Sequence, residues 1–192
     1  MLTIREKSEI PEIKESVVTV GSFDGVHLGH CRILDFLKQE AARTGRVSVV
    51  VTFDPHPRRV LGRGDGFFTI NPLEENLELI AARGIDISFV QKFDTEFSKR
   101  TYQDFVKETV IDRLHARTLV MGPNHAVGHN RSGSHAKIKE FCMEHGLEVV
   151  EIPEETLNDS GVHSAEIRRL IMAGKWDEAD TLLGYKYKHR NK

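Results

Sequence analysis

Short apolar runs in this chain alternate with longer segments of helical periodicity, and that alternation constrains the fold more than any other feature. The runs Ser16–Gly21, Val47–Phe53, Ile85–Val90, Thr118–Gly122 and Leu147–Ile152 have the length and β-branched content of buried strands. Helical spacing falls at Gly29–Thr44, Pro72–Arg83, Tyr102–Leu114, Ser134–His145 and Ser164–Ala173. Local punctuation agrees with this reading. Asn71-Pro72 suits a helix start with Asn71 as cap, and Thr101 to Asp104 has the form of a capping box. Gly45, Gly84, Gly146 and Gly174 stand where helices would end in a left-handed residue. Strands joined through helices pair in parallel by right-handed crossovers. The expected architecture is therefore α/β: a Rossmann-like three-layer sandwich with a five-stranded parallel sheet, as a single domain over residues 1–192.

Composition narrows the class of function. A formal net charge of −2 gives no reason to expect nucleic acid as the main partner, and the basic end from Lys186 to Lys192 reads as a solvated tail. No apolar stretch approaches the roughly 20 residues of a membrane span. Cys31 and Cys142 are isolated and read as reduced thiols. The N-terminus carries early charges and no apolar leader. The expectation is a cytoplasmic protein that works without a membrane; protein partners are not legible.

Three loops, Asp54–Thr69, Pro123–Gly133 and Pro153–His163, are too long to be plain connectors. All follow strands, so all belong to the carboxyl edge of the sheet, where open α/β sheets bind ligands. The segment Gly21-Ser22-Phe23-Asp24-Gly25-Val26-His27-Leu28-Gly29-His30 lies at the same edge, where the first strand hands over to the first helix. Its glycines permit tight turning and close backbone approach. Two imidazoles beside a helix N-terminus suit phosphate chemistry. Two other readings stay open here: histidines that merely cap a turn, and a pair sharing a zinc ion, for which no third ligand is evident.

Four segments together resemble one family. Gly21 to His30 resembles the G-x-F-D-G-V-H-x-G-H signature of H-x-G-H nucleotidyltransferases, in the fuller form of the adenylyltransferase module of bacterial FAD synthetases. Thr52-Phe53-Asp54-Pro55-His56-Pro57 resembles that module's T-F-D-P-H-P. Gly122 to Gly128 is similar to G-x-[DN]-F-x-F-G, and Val162 to Arg168 to I-S-S-T-x-I-R. The matches keep the family's order and spacing over about residues 15–185.

The resemblance implies transfer of AMP from ATP to FMN, giving FAD and pyrophosphate, with Mg²⁺ accompanying ATP and no metal site assigned to the chain itself. It implies catalytic roles for His27, His30 and Arg168. It implies an ATP site built from Gly21, Phe23, Asp24, Gly29, His30, Asn124, Ser164 and Arg168, and a flavin site from Asp54, Pro55, His56, Pro57, Asn124, His125 and Val127. Arg58 and Arg59 stand where they would meet an FMN phosphate, or simply face solvent.

The chain departs from the family pattern at three places. His125 and Val127 replace two phenylalanines, which bears on how a flavin ring is packed. Ala165 and His163 replace a threonine and a serine, removing one hydroxyl donor worth roughly 0.5–1.5 kcal/mol. The sequence stops shortly after the Leu182–Tyr187 segment, at Lys192, leaving no room for the riboflavin kinase domain that usually follows in the family, so no riboflavin phosphorylation is expected. Two alternatives follow: a related nucleotidyltransferase acting on another phosphorylated acceptor, or a catalytically impaired nucleotide- or flavin-binding paralogue. The loop holding His125, His129, Arg131 and His135 reads as a polar lid or as a metal- or phosphate-clamping segment, and Trp176 as packing between the last helices.

Overall fold

The computed structural model describes residues 1–6, 10–62, 66–122, 134–152 and 162–190. Among them the strands are β1 (Leu2–Arg5), β2 (Ser16–Val20), β3 (Val47–Asp54), β4 (Ile87–Lys92), β5 (Ala116–Met121) and β6 (Glu148–Glu151). They form one sheet in the order β1-β4-β3-β2-β5-β6, with every neighbouring pair parallel. The expected parallel sheet is present with six strands rather than five. The extra one, β1, lies at the edge, is four residues long and buries only Ile4. So short a run, flanked by charge, has no period for a sequence reading to detect.

The alternation of side chains along the strands produces the three layers. Val18, Val20, Val49, Val51, Leu119 and Met121 face one way, and Val17, Val50 and Val120 the other, as a period of two requires. The helices are α1 (Leu28–Thr44), α2 (Pro57–Val60), α3 (Leu73–Ala82), α4 (Tyr102–Asp104), α5 (His135–Glu144), α6 (Ser164–Met172) and α7 (Trp176–Leu183). On one side of the sheet lie α1, through Cys31, Leu34, Leu37 and Ala41, and α3, through Ile80. On the other lie α5 and the continuation of α4, a π-helical stretch over Phe105–Arg113 that buries Phe105, Val106 and Val110. Each of these fully buried aliphatic or aromatic side chains contributes roughly 1.5–3 kcal/mol relative to exposure.

Several local expectations are refined. Helix α3 begins at Leu73 with Pro72 as its cap, because the Asn71 side chain instead donates to the Tyr185 hydroxyl. Thr101 does cap α4, its Oγ1 accepting from the Asp104 amide. Helix α7 lies beyond the expected elements; it buries only Ala179 and Leu183, too few positions to reveal a period. With α6 it forms a third cluster around Ile167, Leu170, Ile171 and Tyr187.

The strand order reverses at β2: the chain steps outward through β3 to β4, then crosses to β5 on the other side. The carboxyl end of β2 is thus the switch point at which α/β sheets bind ligands. Gly122, just past β5, lets α1 approach closely there: a Cβ on it would stand 2.8 Å from Ile33 Cδ1.

Candidate functional site

The turn between β2 and α1 is strained. Phe23 has φ 45° and Val26 φ 34°, both left-handed in residues with a side chain, and Gly25 has φ 81°. Such values persist only where the surroundings over-determine them, and here they do. The Gly25 amide donates to Asn76 Oδ1 (3.0 Å), and its carbonyl accepts from the Tyr185 hydroxyl (2.6 Å). The Asp24 carboxylate accepts from the amides of Ile70 (2.9 Å) and Asn71 (3.3 Å) and from Arg168 Nη2 (2.5 Å). Phe23 is buried, and its ring packs where a Cβ on Gly21 would approach within 3.0 Å.

The strained turn delivers His27 and His30. His27 is the N-cap of α1, its Nδ1 accepting from the His30 amide at 3.4 Å. A neutral imidazole that accepts at Nδ1 carries its proton on Nε2, so Nε2–H is the donor His27 has left. The two rings stack 3.7 Å apart at 19°. Gly29 lies close against the pair: a Cβ there would stand 3.3 Å from the His27 ring, a tight approach. His30 Nδ1 is buried and has no hydrogen-bond partner among the described residues. Such an atom is costly to leave unpaired and is satisfied when a polar ligand arrives.

Both imidazoles are held neutral. Burial lowers His27 to about 4, with the neighbouring His163 and Arg168 adding to the effect. Burial also pushes His30 well below its ordinary value, with His27 and Arg168 opposing protonation further. The pair therefore presents neutral N–H donors beside the N-terminus of α1, where anions are favoured.

Arg168 and Ser164 come from α6 to the same turn. The Arg168 guanidinium bridges Asp24, the Phe68 carbonyl (Nε, 2.7 Å) and the face of Phe67 (4.6 Å to the ring centre). It is 8% exposed. In this arrangement it fastens three segments together, with the Asp24 carboxylate as counter-ion. Ser164 Oγ donates to the Asp24 carbonyl at 3.2 Å. The side chain of His163, which caps α6, makes no capping hydrogen bond.

The Asp54–Pro57 segment forms a second wall. The Asp54–Pro55 bond is cis. His56 caps α2, its Nδ1 accepting from the Arg58 amide at 3.1 Å, and Pro57 stands at the first helical position. The His56 ring lies 4.8 Å from that of Phe67, and burial lowers its pKa to about 4, with Asp24 opposing and Arg168 reinforcing the shift. Asp54 is half-exposed and pairs with Arg5 at 3.6 Å.

A cavity of about 930 Å³ runs from this wall past Ser22 and Asp24 to the last helices, where Met172, Trp176, Tyr187 and His189 line it. His27, His30 and Gly29 are not in its lining, which meets their turn at Ser22 and Asp24. Trp176 does pack as expected, stacked on Tyr187 (6.2 Å, 12°), and it also faces the cavity. Asn124, His125 and Val127 lie outside the described residues, as do His129 and Arg131. The structure thus brings Gly21, Phe23, Asp24, His27, Gly29, His30, Ser164 and Arg168 to one turn, and Asp54 to Pro57 to the adjoining wall. Sequence reasoning missed Asn71, Asn76, Phe67 and Tyr185, which hold that turn from distant segments and belong to no motif.

Among the described residues no three His, Cys, Asp or Glu side chains converge as a metal site would need. No helix there is long and apolar enough to cross a membrane.

Comparison with known proteins meets this geometry. Residues 9–166 match the family described as FAD synthetase. The "Bifunctional riboflavin kinase/FMN adenylyltransferase" of Listeria monocytogenes is 36% identical over 172 residues, which are 89% of this chain and 54% of that protein. The chain therefore spans about half the length of that relative. The "Putative bifunctional riboflavin kinase/FMN adenylyltransferase" of Geobacillus thermodenitrificans is 30% identical over 186 residues, covering 96% of this chain and 98% of its own length. A solved structure titled "Crystal Structure of Macrolide-efflux Protein from Streptococcus pneumoniae" superposes with a TM-score of 0.84 at 26% identity, over 97% of this chain and 72% of that one.

Proposed function

The chain belongs to the FAD synthetase family, and we propose that it is an FMN adenylyltransferase, joining the AMP portion of ATP to FMN to give FAD and pyrophosphate. The observation that carries this reading is the neutral, stacked histidine pair on a strained turn at the helix N-terminus, with His30 Nδ1 buried and awaiting a partner.

In the proposed reaction a phosphate oxygen of FMN attacks the α-phosphorus of ATP. One P–O bond forms, the bond to the β-phosphate oxygen breaks, and pyrophosphate leaves with its electron pair. Such transfers need positioning and charge stabilisation more than covalent chemistry. His27 and His30 donate N–H bonds to the triphosphate as its charge shifts toward the leaving group. Phe23, Asp24 and Gly29 hold the turn in shape, with Gly21 making room for Phe23. Ser164, at the start of α6, faces the β- and γ-phosphates. Arg168 supplies positive charge beside them while it anchors Asp24. The resemblance assigns Asn124 to the nucleotide or flavin phosphate.

Asp54, Pro55 and His56 line the cavity and would form its flavin side with Pro57 beside them; the resemblance adds His125 and Val127 to the flavin site. A volume of about 930 Å³ suits a ligand as large as a flavin nucleotide. Magnesium would enter bound to ATP, held by phosphate oxygens and water as that ion prefers, and would neutralise phosphate charge. The Asp24 carboxylate, already taken by Arg168 and two amides, supplies no ligand to it. Both substrates are small and anionic, and a cytoplasmic setting fits two free, buried cysteines.

A second reading, transfer to another phosphorylated acceptor, is favoured by His125 and Val127 at positions where the family carries phenylalanine. An acceptor panel separates the two. With ATP and Mg²⁺ supplied, pyrophosphate release should depend on FMN; release that needs a different acceptor supports the second reading. Tight binding of ATP and FMN with no release would instead indicate an impaired binding paralogue.

A further inference from the structure

The segment after α7 reaches back to the histidine turn, and no motif accounts for it. Tyr185 is half-buried, and its hydroxyl joins two elements distant in sequence. It donates to the Gly25 carbonyl at 2.6 Å and accepts from Asn71 Nδ2 at 2.8 Å. Gly25 thus has its amide held by Asn76 and its carbonyl held by Tyr185, immediately before the left-handed Val26 and then His27. The preceding residue, Gly184, ends α7 at φ 79°. A Cβ there would stand 2.6 Å from Leu28 Cδ2, so the α7 terminus also packs on the residue between His27 and Gly29. The segment is itself fastened: the Tyr187 amide donates to Asp180 at 2.8 Å, and His189 pairs with Glu75 at 3.0 Å.

We propose that Tyr185 is a positioning residue for the histidine pair, its hydroxyl clamping the Gly25 carbonyl so that the strained turn holds His27 and His30 in register. A strained backbone relaxes when one of the contacts fixing it is lost, and misplacement of a reacting group by about 1 Å can cost 10²-fold in rate. Burial raises the Tyr185 pKa, so the phenol stays a donor at any working pH. The consequence for rate rests on the adenylyl-transfer reading; the clamp itself does not.

The test is Tyr185→Phe, which keeps the ring and removes only the hydroxyl, with two readouts on the full chain. Amide hydrogen exchange without ligands should show faster exchange over residues 23–31 and unchanged protection in β3 and β4. Steady-state kinetics with ATP and FMN should show kcat reduced about 10-fold or more, with both KM values within about twofold of the parent. Unchanged exchange over 23–31 overturns the clamp, whatever the kinetics. Faster exchange with unchanged kcat, or a loss confined to KM, overturns its catalytic role. Should the parent protein transfer no adenylyl group to FMN, the functional reading fails by itself, and exchange over 23–31 still decides the clamp.

Discussion

The two walls of the site are built differently. The turn from Phe23 to His30 is held from four distant segments: Asn76 and Tyr185 grip Gly25, and the 70–71 amides and Arg168 grip Asp24. The wall from Asp54 to Val60 is held mostly by itself. His56 caps its own helix, Asp54 pairs with a half-exposed Arg5, and the Arg59 guanidinium donates to Thr69. Of the two walls only the turn holds non-glycine residues at positive φ, and the contacts that hold it come from far along the chain. Under the proposed function the strained turn would face the triphosphate and the second wall the acceptor, so the two walls should respond differently to substitution.

Breaking the anchor of the strained wall should have the largest effect. Arg168→Ala leaves the Asp24 carboxylate buried without its counter-ion, and losing one partner of a buried pair costs about 3–5 kcal/mol. Chemical denaturation should register that loss, whereas an equivalent change at the exposed Arg169–Glu166 pair, which solvent screens, should shift the midpoint little. Equal losses would mean the Asp24–Arg168 pair anchors nothing.

Next is the chemistry of the same wall. His30→Ala should lower kcat by about 10²–10³, the usual consequence of deleting one oriented donor to a developing charge. ATP affinity measured by calorimetry should change far less. Equal losses in both would mean that His30 binds the ground state alone.

Acidity probes both walls at once. His27 and His56 each lie at about 4 in the folded protein, below the usual value of about 6.5 for free histidine. Above pH 6.5 these groups are neutral folded or unfolded, and stability does not respond to them. As pH falls from about 6.5 toward 4, the unfolded chain binds protons that the folded chain refuses, so stability declines across that window and the decline ends below it. Proton NMR should show both imidazoles titrating near 4, and kcat/KM should be flat from about pH 7 to 8, above the substrate phosphate's own ionisation near 6. A titration of His27 near 6.5 contradicts the neutral-pair account.

The smallest effect belongs to the second wall. Arg59→Ala should raise KM for FMN by roughly tenfold or less, the worth of one exposed charge-assisted contact, with kcat nearly unchanged. A fall in kcat as large as that of His30→Ala would erase the distinction between the walls.

What was legible in the sequence follows from range. The strand Val17 to Val20, the glycines of the turn and the helical face of Leu34, Leu37 and Ala41 are neighbours in the chain, and local periodicity reveals them. The partner of Asp24 is 144 residues away, and that of the Gly25 carbonyl 160 residues away; no spacing rule predicts either. Arg168 belongs to a recognisable segment of the sequence, but its bond to Asp24 depends on α6 packing against the 67–71 segment. β1 and α7 escaped notice because each buries only one or two side chains. The π-helical run after α4 carries the same apolar residues that an α-helix would, so periodicity alone does not separate the two.

In the proposed reaction the α-phosphorus of ATP ends on FMN. ATP labelled at its α-phosphorus, incubated with the protein, FMN and Mg²⁺ and resolved by chromatography, tests it directly. The account predicts that the label accumulates in FAD over many turnovers, with unlabelled pyrophosphate released in equal amount. Label remaining in ATP, or moving to a product other than FAD while FMN stays unchanged, would contradict it.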